Sequence, residues 1–320
     1  MDLVNRTGAA AFLYPVNLLE PELRAAVVVK KTYALGSDGR LSQASDPMPL
    51  VADQLVTDYG VFHGELFFRK RGADVCLLGT ARFQRAVTVA RVRLEIGTWG
   101  CELDLVGDRV WSQSRRGGDP IPSAPAPFTE MPISYARAFG GVAEVNGEDV
   151  PWPDNPTGRG YYESADEAVG KPLPNIQPAG SPEPRWSDRP RVAGWGPYPM
   201  YWGLRSAAAV KYDQRTGQLL EVTPELFNHA HPDLILPELE AGAPVRISGM
   251  GGPPIQLAIP RERPRVSVQI GAARLAVLGE LDGLFIWTDA ARVVVTWRAR
   301  FRYAVRPEEI RRAELTFVED

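Results

Sequence analysis

The distribution of glycine and proline along the chain limits the folds that this sequence can adopt. Both residues interrupt helices, and they recur so often that a coiled coil or a helical bundle is excluded. They are also unevenly placed. Residues 117–203 contain 12 glycines and 16 prolines, about 32%, whereas the rest of the chain contains about 13%. We therefore expect a single domain, residues 1–320, with three zones at 1–116, 117–206 and 207–320.

The two flanking zones have the period-two alternation of half-buried antiparallel sheet. In the strand predicted over Val293–Tyr303, the apolar residues point inward and Arg298 points outward. We predict bulges at Gly79 and at Ala90–Arg91, where the apolar parity is interrupted. The other predicted strands lie around Val27–Leu35, Asp74–Phe83, Val87–Ile96, Cys101–Leu105 and Val266–Ile270, and a turn of helix is predicted over Pro307–Glu314.

The middle zone has the glycine and proline content of a disordered segment, but it also carries four of the eight tryptophans. Disordered linkers are poor in aromatic residues, so we expect an ordered, irregular zone. One short helix is predicted, with Ser164 as N-cap and Gly170 as its stop. The predicted fold is mainly β, with an antiparallel sandwich-like or barrel-like body, a long ordered Pro/Gly/Trp-rich loop region and a few short helices.

Composition also limits the partners and the location. The longest apolar runs fall short of the roughly 20 residues that a membrane span needs, and a net charge of −3 provides no basic field for nucleic acid. Cys76 and Cys101 cannot form a disulfide framework. The N-terminal residues lack a basic segment followed by an apolar core, so we expect no signal peptide and a cytoplasmic protein.

The sequence contains none of the common catalytic motifs. It has no G-x-S-x-G elbow, no Walker A loop and no G-x-G-x-x-G after a strand, and we predict neither an enzyme nor a cofactor. His229, His231 and Asp233 have the spacing for a zinc site on a strand, but two surface histidines are the more common outcome of such a pattern. We therefore predict no metal site.

Charge is unevenly distributed. Glu144–Glu167 contains seven carboxylates against Arg159 alone, and an acidic cleft lined by aromatic residues could belong to a glycosidase that uses two carboxylates such as Asp154 and Glu163. Arg292–Arg312 contains seven arginines against two glutamates. That stripe could bind an acidic protein surface or nucleic acid, although both charge runs are most often solvated surface.

Four motifs of the middle zone occur in a characteristic order. They are MPISYARAFGG (Met131–Gly141), NPTGRGYY (Asn155–Tyr162), LPNIQPAGSP (Leu173–Pro182) and DRPRVAGWGPYPMYWGLR (Asp188–Arg205). Together with the flanking segments Phe67–Phe83 and Leu281–Phe301, they cover nearly the whole chain. The chain thereby resembles a family of bacterial proteins known as a domain of unknown function, whose genes lie beside type VI secretion spike and effector genes.

The resemblance implies a function without catalysis. Members of that family are regarded as adaptors or chaperones that help to load an effector onto the secretion spike, so the expected partner is a secreted effector or a spike-tip protein. The chain departs from the pattern around Tyr212-Asp213 and at Gln177, where an acidic residue is usual. The alternative is a carbohydrate-binding or glycoside-hydrolysing protein. The predicted partner-binding or motif residues are Arg137, Phe139, Asn155, Trp195, Tyr198, Trp202, Arg205, Tyr212, Asp213 and Arg298.

Individual motif residues also have local roles to fill. We expect Arg137 and Arg205 to form bidentate pairs with carboxylates, either within the loop zone or on a partner. Asn155 and Asn175 are expected to tie the backbone, and Gly140, Gly141, Gly158 and Gly160 to set turns. Most of the motif residues are therefore expected to build the loop fold, and a minority to touch a partner.

Overall fold

A computed structural model describes residues 2–16, 23–57, 60–114, 117–213, 215–303 and 310–319. The strands of the first zone are β1 (Asp2–Asn5), β2 (Ala10–Val16), β3 (Leu23–Leu35), β4 (Leu41–Gln43), β5 (Gln54–Thr57), β6 (Gly60–His63), β7 (Ala73–Leu78), β8 (Thr80–Val87), β9 (Val89–Ile96), β10 (Trp99–Val106) and β11 (Trp111–Ser112).

The middle zone contains short strands and two short α-helices. They are β12 (Ile121–Pro122), β13 (Phe128–Pro132), β14 (Phe139–Gly140), β15 (Val142–Val145), β16 (Glu148–Pro151), β17 (Arg159–Gly160), α1 (Ala165–Ala168), β18 (Ile176–Pro178) and α2 (Gly203–Ala209). The third zone consists of β19 (Val210–Tyr212), β20 (Leu219–Val222), β21 (Ile235–Leu236), β22 (Pro244–Ser248), β23 (Ile255–Ala258), β24 (Glu262–Ile270), β25 (Ala273–Leu278), β26 (Glu280–Trp287), β27 (Arg292–Tyr303) and β28 (Ile310–Glu319). Single 3-10 turns lie at Tyr135–Arg137, Pro224–Phe227 and Pro232–Leu234.

The fold is mainly β, as predicted, and its largest sheet combines strands from both flanking zones. The strand order is β2-β3-β27-β26-β7-β21, with β4 paired to the end of β3. β3 and β27 pair over twelve residues, from Leu23 opposite Tyr303 to Ala34 opposite Arg292. The two flanking zones therefore share one sheet.

Not every strand contact is antiparallel. β7 and β26 run parallel, with Val75 opposite Leu284, and β1 runs parallel to β28. A parallel pair requires a long connection, and the whole of residues 79–279 lies between β7 and β26. The alternation within each strand could not reveal this arrangement, because both pairings have the same period of two.

Two further sheets complete the body. One has the order β1-β28-β24-β25, and the other has the order β18-β10-β9-β22-β23. A single cluster of buried apolar side chains includes residues of all three sheets. The Trp297 and Phe317 rings, 5.6 Å apart, join the large sheet to the four-stranded one. The described strands form no closed barrel, so the body is sandwich-like.

The central strands of the large sheet are buried on both faces, which corrects the expectation of a half-exposed sheet. Val27 and Val29 pack on one face, while Lys30 and Thr32 on the other face are also buried. The second face is covered by residues 62–67, whose Phe62 ring meets Phe285 at 5.4 Å. Arg298 lies on this covered face with 3% exposure, so the prediction that it points outward is wrong.

Two predicted bulges are breaks between strands. Gly79 separates β7 from β8, and β8 leaves the large sheet to pair with β13. A Cβ atom at Gly79 would lie 1.9 Å from Thr288 Oγ1, which explains why glycine is needed there. The chain likewise bends at Thr88 between β8 and β9, so the parity change near Ala90–Arg91 reflects two strands rather than a slip in one.

Of the two predicted helical segments, the one after Ser164 is confirmed, and α2 was not predicted. Glu167 N donates to Ser164 Oγ at 3.1 Å at the start of α1, and Gly170 follows the helix with φ +77°. The helical turn predicted over Pro307–Glu314 is wrong for residues 310–314, which belong to β28, and residues 304–309 lie outside the described part. None of the helices in the described residues is long and apolar enough to cross a membrane.

Candidate functional site

The motif residue Asn155 holds the middle zone together from within. It is fully buried, and its Nδ2 donates to the backbone oxygens of Tyr135 at 2.8 Å and Phe139 at 2.9 Å. Gly140 makes this approach possible, because a Cβ there would lie 2.1 Å from the Asn155 backbone oxygen, and its φ is +144°. Asn155 therefore ties two motifs together, as expected for a structural asparagine.

Aromatic motif residues form the interior of the same zone. Tyr198 is fully buried, packs edge-on against Trp202 at 5.1 Å, and donates from its hydroxyl to the Asp154 backbone oxygen at 2.6 Å. The Trp195 backbone oxygen accepts a hydrogen bond from Leu77 N at 2.8 Å, which attaches this segment to β7. Phe139 is also buried. These side chains stabilise the zone and do not face outward.

Two predicted contact arginines are internal. Arg205 is 4% exposed and donates through Nη1 to the Tyr198 backbone oxygen at 2.7 Å and through Nε to that of Leu226 at 3.0 Å. Burial lowers its pKa to about 10. Arg298 lies 3.9 Å above the Phe67 ring and forms an ion pair with Asp282 at 2.8 Å. The two side chains bind backbone carbonyls and a carboxylate of this chain, so neither is part of an outer surface.

Asp213 of the Tyr212-Asp213 pair shapes a local turn. The Tyr212 side chain lies outside the described part of the structure. Asp213 Oδ1 accepts hydrogen bonds from the backbone N–H groups of Arg215 and Thr216, both at 2.8 Å, and these hydrogen bonds lower the pKa of its carboxyl. This is the Asx-turn arrangement, and it closes the connection between β19 and β20.

Arg137 is the predicted residue that reaches the surface, and it does so beside a second arginine. Arg137 Nη1 donates to Asn175 Oδ1 at 3.4 Å, and Arg159 Nη1 donates to the same oxygen at 3.2 Å. Asn175 Nδ2 in turn donates to Val106 O and to Asp108 Oδ1, both at 2.9 Å. We call Arg137, Arg159, Asn175 and Asp108 the arginine cluster. Arg137, Arg159 and Asn175 each come from a different motif of the middle zone.

The arginine cluster keeps positive charge at the surface. The two arginine side chains are about 30% exposed, and each Nη1 lies 3.9 Å from Asp108 Oδ1, at the limit of an ion pair. Burial and the neighbouring Arg137 lower the pKa of Arg159. Arg159 Nε also donates to the Ala136 backbone oxygen at 3.1 Å. Because a guanidinium has five donors, both arginines keep further donors for carboxylates.

Sequence reasoning missed Arg159 as a site residue. Arg159 lies in the acidic stretch Glu144–Glu167, where it was considered only as the one positive charge. The residue pairs with Phe139 where β14 and β17 run side by side, and this pairing brings it next to Arg137. The repeated A-R-A and G-R-G patterns within two motifs were the available signal.

Three of the seven carboxylates in the acidic stretch have local partners. Burial raises the pKa of Asp154, whose carboxylate accepts a hydrogen bond from the Leu204 backbone at the start of α2. Glu163 accepts a hydrogen bond from the Tyr161 hydroxyl, and Glu167 accepts one from Glu163 N at 2.9 Å. These contacts make Asp154, Glu163 and Glu167 parts of the local fold.

The histidines and cysteines of the third and first zones are enclosed. His229 and His231 are 3% and 2% exposed, so they are not the surface histidines of the sequence-based expectation. Within the described ranges, no group of three His, Cys, Asp or Glu side chains is arranged to hold a metal ion. Cys76 is buried and Cys101 is partly buried, and both are free thiols.

Comparison with known proteins identifies the family. A family model described as "Uncharacterized protein conserved in bacteria (DUF2169)" matches residues 21–298, and the chain belongs to this family. No curated protein and no solved structure matches the chain.

Proposed function

We propose that this DUF2169 member is a non-enzymatic adaptor or chaperone, which binds a type VI secretion effector or its spike-tip domain and assists its loading onto the secretion spike. The observation that carries the proposal is the arginine cluster. Three separate motifs of the middle zone converge there on one patch of surface, and the other described motif side chains serve mainly to hold that zone in place.

The construction of the middle zone favours a binding surface. Because Asn155, Tyr198 and Arg205 bind backbone carbonyls inside the zone, its loops are fixed before any partner arrives. Binding to a preformed surface avoids the entropy cost of ordering loops on association. An irregular zone built from prolines and buried aromatic rings is therefore well suited to recognise another protein.

The arginine cluster favours an acidic contact on the partner. Arginine is enriched among the residues that dominate binding energy at protein interfaces, and its planar fork matches a carboxylate. Arg137 and Arg159 both donate to one shared amide oxygen, which places the two guanidinium groups side by side at the surface. A glutamate or aspartate of the partner would also relieve the repulsion between the two guanidinium groups.

Co-expression tests the proposal. The chain should form a stable complex with an effector or spike protein encoded by the genes beside its own. In the complex, Arg137→Ala and Arg159→Ala should each weaken binding by about tenfold or more, since truncating a hot-spot arginine costs about 2 kcal/mol. Arg40→Ala is the matched control, because Arg40 is 90% exposed and pairs only loosely with Asp38 at 3.5 Å. Failure to capture any protein of that gene cluster would exclude this function.

A further inference from the structure

A groove lies between β11 of the first zone and residues 181–191 of the middle zone, a segment that we call the strap. Its lining includes Trp111, Phe139, Pro174 and Ile176 together with prolines of the strap. The cavity measures about 100 Å³. Pockets for cofactors and drug-sized molecules measure about 300–1,000 Å³, so this cavity has the size for one side chain of a longer ligand.

Two residues that line the groove carry hydrogen-bond donors without an acceptor. Arg109 Nε and Trp111 Nε1 are both enclosed, and neither has a hydrogen-bond partner among the described residues. Trp111 is 3% exposed. Buried donors are usually paired in native proteins, so both side chains have unused capacity for an acceptor.

Arg109 is positioned to turn toward a ligand in the groove. Its Nη2 donates to the Pro174 backbone oxygen at 3.2 Å and to Gln177 Oε1 at 3.4 Å, and contacts of this length are weak. Burial lowers the pKa of Arg109, and the charge of Glu183 on the strap opposes this effect. A carboxylate in the groove could replace the Gln177 contact with a shorter, charge-assisted one.

The charge of the groove lining is positive. Arg109, Arg185 and Arg191 line it together with one acidic residue, Asp188. Arg191 is paired with Asp233 at 2.7 Å, and Asp188 Oδ2 accepts a hydrogen bond from Arg185 N at 2.7 Å. Among the described residues, neither Arg109 nor Arg185 forms an ion pair, so both can pair with an anionic ligand.

We infer that the strap groove binds an extended acidic segment of a protein partner, with an apolar side chain in the cavity and a neighbouring carboxylate at Arg109 and Arg185. The inference rests on the proposed function, since it assigns a second contact to the same adaptor. The groove and the arginine cluster use alternate residues of one segment: Asn175 belongs to the cluster, whereas Pro174 and Ile176 line the groove.

A peptide titration followed by NMR tests the groove without the secretion partner. The chain has eight tryptophans, and the indole signal of Trp111 is identified by its loss in Trp111→Phe. The probe is the peptide Ac-Gly-Leu-Asp-Pro-Leu-Asp-Gly-NH2, and its twin carries Asn in place of both Asp residues. The Trp111 signal should shift with the acidic peptide, and the twin should bind at least tenfold more weakly.

Variants of the groove complete the test. The double change Arg109→Gln with Arg185→Gln should reduce peptide affinity at least tenfold, whereas Arg274→Gln on the exposed strand β25 should not change it. An unmoved Trp111 signal at millimolar peptide, or equal binding of the two peptides, would overturn the inference. Because partner capture is a separate experiment, the adaptor function can stand while the groove assignment fails.

Discussion

Six ionisable side chains form a connected network within the covered face of the large sheet. Lys30 contacts Glu65 at 2.6 Å, and Lys70 contacts Asp74 at 2.6 Å and Asp282 at 3.6 Å. Arg298 joins the two halves, because it pairs with Asp282 and donates to the Glu65 backbone oxygen at 3.2 Å. Three positive and three negative groups balance, so the face can be buried without net charge.

Arg298 is the residue on which this network depends. Arg298→Ala should lower the free energy of unfolding by about 3–5 kcal/mol, since it leaves Asp282 buried without its closest partner. Arg300→Ala, two residues along the same strand, removes a partly exposed side chain and should cost about 1 kcal/mol or less. Urea denaturation of both variants measures the difference. Equal losses would show that Arg298 does not have this role.

His231 makes stability depend on pH. Burial lowers its pKa from about 6.5 to about 4, and the charge of Asp233 only partly opposes this. Below pH 6.5 the unfolded chain therefore binds a proton that the folded chain does not, and stability falls as the pH drops from 6.5 to about 4.

The variant His231→Asn isolates this contribution. It keeps an acceptor for Asp233 N but cannot titrate, so its unfolding free energy should fall less between pH 7 and pH 4 than that of the parent chain, by up to about 3 kcal/mol. Urea midpoints across this pH range provide the measurement. Parallel pH profiles of the two proteins would argue against the assignment.

At the scale of residues, the sequence identified the important positions more clearly than it identified their roles. Arg137, Asn155 and Tyr198 were all recognised as motif residues, but the pattern could not separate the exposed arginine from the buried asparagine and tyrosine. That distinction depends on which segments cover which surfaces. Arg298 illustrates the same limit. Alternation correctly placed it on the face opposite to Trp297, but residues 62–67 cover that face.

At the scale of elements, close backbone contacts hold the middle zone in shape. Gly141 N donates to the Asn155 backbone oxygen at 2.8 Å, and Tyr161 N donates to Gly140 O at 3.0 Å. β14 and β17 are only two residues long, so these contacts and the Asn155 side chain carry most of the order.

Glycine substitutions test this view of the zone. Gly140→Ala should destabilise the chain by about 3–5 kcal/mol and open residues 139–162 to chymotrypsin, since it combines a positive φ with a steric clash. Gly147→Ala is the control: its φ is +82°, but a Cβ there meets nothing within 4 Å, so the expected cost is about 1 kcal/mol. Equal protease sensitivity of the two variants would contradict the model of tight backbone packing.

The strands were easier to predict than their order. Alternating residues located β3, β10, β24 and β27, and capping residues located α1. The parallel contact of β7 with β26 and the departure of β8 from the large sheet depend on long-range pairing. Neither pairing produces a local sequence pattern, because an apolar run has the same pattern whichever strand it pairs with.

At the scale of the whole molecule, the sandwich-like body serves as support for the irregular zone. β18 of the middle zone pairs with β10 in the five-stranded sheet. The Trp195 backbone oxygen accepts a hydrogen bond from Leu77 N of β7 in the large sheet. The zone is thereby fixed to two sheets at once, and the arginine cluster lies on a rigid base. This is the arrangement that recognition of a folded partner favours.

Charge reversal at the arginine cluster tests the central claim most directly. The affinity of the purified chain for its captured partner would be measured by calorimetry, with Arg137→Glu plus Arg159→Glu compared with Arg40→Glu, after circular dichroism has shown that the variants are folded. The account predicts at least a hundredfold loss for the double reversal and an unchanged Kd for the control. A folded double variant that binds the partner as tightly as the parent chain would contradict it.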